Sequence, residues 1–126
     1  MPSSPRRAPA TGRRAEAHAA QWLADRGWKI LGRNVRTGHL EIDIVAQLDD
    51  VVSVVEVRVR GPGAWQRALD SVDVHKQSRL RAAARQLWDT QWCHDPSIRV
   101  VRFDIVVVGF GPGGAVSVDW LPGAFQ

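Results

Sequence analysis

Apolar residues recur at helical spacing near the start of the chain, where Ala15, Ala19, Trp22 and Leu23 share one stripe. The stripe predicts a helix over 12–26, and Gly27 is a natural stop. Residues 28–35 then read as a strand. Leu40 to Leu48 alternate, with Leu40, Ile42, Ile44 and Ala46 on one face and Glu41, Asp43 and Val45 on the other. Val51 to Arg60 alternate again: Val55, Val57 and Val59 oppose Val54, Glu56, Arg58 and Arg60. Asp49-Asp50 is the predicted turn between these two strands.

Gly61-Pro62-Gly63 ends the run, and a loop leads to a second helix over 74–90, with Ala82, Ala83, Leu87 and Trp88 in its apolar stripe. Val100 to Val108 is a strongly apolar strand interrupted by Asp104. A turn at Gly109–Gly114 and a short strand over 116–121 complete the chain. The order is α-β-β-β-α-β with a small β tail, which predicts an α/β or α+β domain, a mixed sheet flanked by helices.

The chain has 126 residues, enough for one core, expected over 12–126. Residues 1–11 hold three prolines and no acid, and read as a flexible basic tail. No apolar run reaches the ~18–20 residues that span a bilayer, so no membrane association is expected. The single cysteine, Cys93, excludes an internal disulfide, and 1–11 has no apolar signal core. A cytoplasmic protein is the expectation. Net charge is +4, and 15 of the 17 basic residues are arginine, whose planar fork matches phosphate geometry. Nucleic-acid binding and a mere composition bias both fit that balance. Arg58, Arg60, Arg67, Lys76 and Arg79 are the candidate phosphate contacts, and Trp65 a candidate for base stacking or for local packing.

A turn centred on Asp49-Asp50 sets Asp43 opposite Glu56 and Glu41 opposite Arg58, with Ile42–Val57 and Ile44–Val55 on the core side. Opposed side chains have Cβ atoms about 4.5–5.5 Å apart, so two carboxylates there repel unless compensated. A hard divalent cation, an arginine fork from Arg58, and a solvated polar face are the open solutions. Glu16 lies on the apolar side of the first helix, where a carboxylate is costly unless paired or bound to metal. It also sits in the first turn, where the helix dipole favours acids.

The segments Gly12-Arg-Arg-Ala-Glu16-Ala, Arg33-Asn34, Glu41-Ile-Asp43-Ile-Val-Ala46, Val55-Glu56-Val57-Arg58-Val59-Arg60, Lys76 and Arg102-Phe103-Asp104 occur in this order. In this the chain resembles the YraN family, small bacterial proteins similar to Holliday-junction resolvases. The resemblance covers roughly 12–108. It implies a restriction-endonuclease-like αβββαβ core and a Mg²⁺- or Mn²⁺-dependent nuclease-type site. Glu16, Asp43 and Glu56 would be its metal ligands, and branched or duplex DNA its partner. By the same analogy two copies would act as a homodimer.

Two positions depart from the family pattern. Leu40 replaces the usual glycine before Glu-Ile-Asp, and Arg58 stands where the motif has lysine. Arginine stays protonated and is bulkier. It either stabilises developing charge or locks onto Glu41 or Glu56 and fills the site, and Lys76 is the other candidate for the catalytic ammonium. Asp104 extends the acidic cluster or pairs with an arginine in the sheet, with pairing favoured. Gly109–Gly114 fits G-x-G-x-x-G, but a strand follows it where a dinucleotide site needs a helix. Cys93, His94, His75 and His39 lack zinc spacing.

Overall fold

The computed structural model describes residues 10–60 and 74–126. In chain order the elements are α1 (Ala10–Asp25), β1 (Lys29–Thr37), β2 (Leu40–Leu48), β3 (Val51–Val59), α2 (Val74–Thr90), β4 (Val100–Phe110) and β5 (Val116–Phe125). The five strands form one sheet in the order β1-β2-β3-β4-β5. Neighbours are antiparallel except β3 and β4, which run parallel in unbroken register from Val51↔Val100 to Val59↔Val108. A parallel pair needs a crossover connection, and α2 lies within it. The architecture is the mixed sheet flanked by helices that the pattern predicts.

The helices cover opposite faces of the sheet. Ala15, Ala19, Ala20 and Leu23 of α1 pack with Ile44, Ala46, Val55, Val106 and Val108. Leu80, Ala83, Ala84 and Leu87 of α2 pack with Ile42, Val45, Val52, Val54, Ile105 and Val107. The central strands are therefore apolar on both faces, as sheets covered on two sides must be. Gly27 ends α1 at a φ of 94°, with the Gly27 N–H donating to Ala24 O and the Trp28 N–H to Leu23 O, at 3.0 and 3.1 Å. This is the Schellman geometry for which glycine is suited.

Several expectations need correction. The first helix begins at Ala10, so Ala10 and Thr11 belong to it, while the rest of the expected 1–11 tail lies outside the described residues. Trp65 and Arg67 lie outside them too. In α2, Ala82 is exposed and Leu80 and Ala84 join the buried stripe instead. The last strand continues past Pro122-Gly123 to Phe125, because the Gly123 N–H finds Asp104 and Phe125 pairs with Phe103.

The largest correction concerns β2. Its turn register is as expected, from Leu48↔Val51 to Ile44↔Val55. The ladder stops there, however, and Asp43 does not pair with Glu56 nor Glu41 with Arg58. Ile42 faces α2 and Ile44 faces α1, so they do not share a face, and Val57 packs on the α1 side. Strict alternation slips at Asp43. Glu41 pairs instead with Arg36 of β1, in register and by a 3.3 Å ion pair.

Candidate functional site

The slip in β2 builds the site. Between Ile42 and Ile44, which point to opposite faces, the Asp43 side chain lies along the hydrogen-bonding direction of the sheet. Its Oδ2 accepts the Val57 N–H at 2.9 Å, a bond a regular ladder would give to a β2 carbonyl. The carboxylate thus fills the gap where β2 and β3 part.

Glu56 precedes Val57 on β3 and lies on the α2 side, alternating with Val52 and Val54. It is buried, at 4% exposure, and two cations share its Oε2: Lys76 Nζ of α2 at 3.1 Å and Arg58 Nη2 at 3.0 Å. A buried carboxylate is tolerable only with such partners. Of the two fates expected for Arg58, the lock onto Glu56 is the one observed. Lys76 is not a remote surface lysine but the second partner of the same oxygen.

Glu16 is buried at 8% exposure. Its Oε1 has no hydrogen-bond partner among the described residues. Burial raises the Glu16 pKa. The nearby Asn34 side chain and the Arg33 charge oppose that rise, and Glu41 and Glu56 add to it. Asp43 is pushed up to about 7, first by burial, then by the Glu56 charge and, less, by Glu16; the Val57 N–H and Lys76 pull the other way. The charges of Glu56 and Glu16 therefore both reach Asp43, although the three residues come from three elements.

Hard oxygen donors suit Mg²⁺ or Mn²⁺. Among the described residues no three acidic, histidine or cysteine side chains gather closely enough to form a ready-made cage. Asp43 and Glu56 fit a largely hydrated ion, which typically takes one or two protein carboxylates. Glu16, with an orphaned oxygen, fits an outer position. Beside Lys76 lies a hollow of about 260 Å³ lined by His39, Leu40, Glu41, Arg79 and Leu80. Arg60 is ion-paired with Asp119.

Asp104 belongs to a separate network. It is fully buried on the α1 side and accepts bonds from Ser53 Oγ (2.7 Å), Arg102 Nε and Nη2 (both 2.9 Å), Trp120 Nε1 (3.1 Å) and the Gly123 N–H (2.8 Å). Pairing with an arginine is thus its role. His18 stacks edge-on against Phe110, and Cys93 is exposed with its thiol toward Asp89 O. The expected turn at Gly109–Gly114 is shorter: Gly109 and Phe110 continue β4, paired with Ser117 and Val116, only Gly111–Ala115 connect β4 to β5, and a strand follows where a dinucleotide site needs a helix. Sequence reading missed Asn34 as a site residue. Its signal was an asparagine inside a strand, the non-glycine type most at ease at positive φ.

Comparison with known proteins places these residues in a family. The chain is 41% identical to a UPF0102 protein of Sorangium cellulosum over 116 residues, 92% of this chain and 81% of the relative. It is 42% identical to one of Anaeromyxobacter dehalogenans, covering 93% and 84%. A third relative, from Stutzerimonas stutzeri, is 41% identical, covering 92% and 94%. The model of Uncharacterised protein family UPF0102 matches residues 15–108, a span that holds Glu16, Asp43, Glu56, Arg58 and Lys76. By these matches over nearly its whole length, the chain belongs to the UPF0102 family, also called the YraN family.

Proposed function

We propose that the chain is a nuclease-like protein that acts on branched or duplex DNA with Mg²⁺ or Mn²⁺ held by Asp43 and Glu56. The observation that carries this reading is the buried Glu56 carboxylate held by Lys76 at 3.1 Å, with Asp43 close enough to be pushed up to about 7. Acids crowded together beside a basic side chain are what a metal-assisted phosphoryl site requires. When bound, the ion would polarise a phosphoryl oxygen and acidify a water. Asp43 and Glu56 would orient the ion, and Asp43 would give up its proton on binding it. Lys76 places an ammonium beside Glu56, where it would meet charge developing on the phosphate. Arg58 and Arg79 would contact neighbouring phosphates. A homodimer that cuts two strands is part of the same proposal.

The test is cleavage of four-way junctions, flaps, duplexes and single strands with Mg²⁺ or Mn²⁺, with Asp43→Asn as control. Metal-dependent cleavage lost in Asp43→Asn is the expected result. Cleavage that persists in chelator, or in the variant, rejects the site. The 3.0 Å bond from Arg58 to Glu56 favours a second reading, a DNA-binding protein whose cleavage is suppressed. That reading expects binding without cleavage. In both, log K against log salt falls by about 0.9 per phosphate contacted on duplex DNA, and a flat dependence rejects both.

A further inference from the structure

The β1–β2 ladder keeps one register from Gly32↔Val45 to Thr37↔Leu40, with a single rung missing, the one that would join Asn34 to Asp43. Asn34 has a φ of 50°, in the left-handed region. On the β2 side of the same rung the alternation of faces slips, with Ile42 on the α2 side and Ile44 on the α1 side. The slip is mirrored in β1. Val35, which pairs with Ile42, packs on the α2 side, while Arg33 pairs with Ile44 and acts on Glu16 of α1. Both strands thus turn over at one rung without losing register.

A paired slip of this kind has two effects. It keeps Leu40, Ile42 and Val35 packed toward α2. It also leaves the Asp43 side chain between the strands, where it reaches the Val57 N–H at 2.9 Å. A left-handed residue in the middle of a strand is unfavourable for most L-residues, and asparagine tolerates it better than any type but glycine.

We propose that Asn34 is a positioning residue of the carboxylate site: its left-handed backbone turns Asp43 toward β3. The placement of that carboxylate then depends on a residue of the neighbouring strand. The functional part of this inference rests on the nuclease-like reading above; the geometric part does not.

Asn34→Gly and Asn34→Val test the backbone role. Glycine keeps the left-handed backbone, whereas valine opposes it. The first readout is amide hydrogen exchange at Val57, with Val106 and Val108 of β4 as references. Val57 stays protected in Asn34→Gly. In Asn34→Val its protection falls by on the order of 10-fold or more while the β4 amides are unchanged. The second readout is Mn²⁺ affinity by calorimetry, expected to stay near that of the wild type in Asn34→Gly and to fall about 10-fold or more in Asn34→Val. Should Asn34→Val fail to fold, Asn34→Ala carries the same expectation with a smaller steric conflict. Unchanged Val57 protection in a folded Asn34→Val or Asn34→Ala protein overturns the backbone role. Mn²⁺ affinity in a folded Asn34→Val protein equal to that of the wild type overturns the consequence for the site. If the wild type binds no Mn²⁺, the metal reading fails, and Val57 exchange alone decides for or against the positioning of Asp43.

Discussion

Asp43 holds its proton more tightly in the folded chain, where it titrates at about 7, than in the unfolded chain near 3.8. Stability from this group is complete below about pH 4 and drains as pH rises to about 7, by at most about 1.4 kcal/mol per pH unit. Asparagine at this position copies the neutral form and still accepts the Val57 N–H. In chelator, Asp43→Asn is therefore expected to flatten the stability profile between pH 4 and 7. At pH 8 it should be more stable than the wild type by on the order of 1–3 kcal/mol. Urea unfolding across that range measures it, and parallel profiles for the two proteins would refute the burial and crowding assigned to Asp43. Arg58 is the second residue with a definite expectation. Its fork ties up the Glu56 Oε2 that Lys76 also uses, and its own Nε is buried with no hydrogen-bond partner among the described residues. Arg58→Lys exchanges the fork for a compact ammonium. Metal-dependent cleavage is expected to rise by up to about 100-fold. If wild-type cleavage is already strong, unchanged by Arg58→Lys and abolished by Lys76→Ala, then Lys76 alone supplies the cation.

At the scale of elements, the periodic segments were legible and the irregular ones were not. The second helix and the strand at 51–59 follow from apolar spacing and turn residues, because each keeps one period along its length, and the strand at 40–48 was found because its alternation breaks at only one position. The Asp43 slip could not be read, because a pattern of alternate residues carries no mark of where the alternation breaks. Leu40, Ile42 and Ile44 look like one face until Ile42 and Ile44 are seen packing against different helices. Glu16, Asp43 and Glu56 stood out in the sequence as unusually placed carboxylates, and Glu16 and Glu56 are buried, but their partners were not fixed. Lys76 is twenty residues from Glu56 in sequence, and only the placement of α2 brings it within 3.1 Å. Asp104 shows the opposite case, where one polar residue in an apolar strand foretold a paired charge. Because β5 is fastened to β4 through that acid, Asp104→Ala strands the Arg102 cation, the Ser53 hydroxyl and the Trp120 indole N–H. A loss of about 3–5 kcal/mol is expected by chemical denaturation. A loss below about 1 kcal/mol would mean that the network is not what fastens the strand.

Over the whole molecule, α1, β1, β2 and β3 form a meander of neighbours in sequence, and β4 with β5 forms a hairpin. A parallel ladder, pairing residues about fifty apart in the chain, and the packing of α1 on Val106 and Val108 join the two halves. Such a seam closes a long loop before it returns any contact energy, so its formation is expected to be the slow and late part of assembly. Glu16, Asp43 and Glu56 all belong to the first half, and Lys76 arrives with the crossover. The carboxylates are thus assembled on a local scaffold, and their ammonium is delivered when the seam closes. A kinetic signature follows. Val106→Ala, on the β4 side of the seam, is expected to speed unfolding and leave refolding nearly unchanged, whereas Ile44→Ala within the meander slows refolding. Chevron plots of the two variants decide the matter: a refolding rate more sensitive to Val106 than to Ile44 would mean that the halves dock first and the meander orders afterwards.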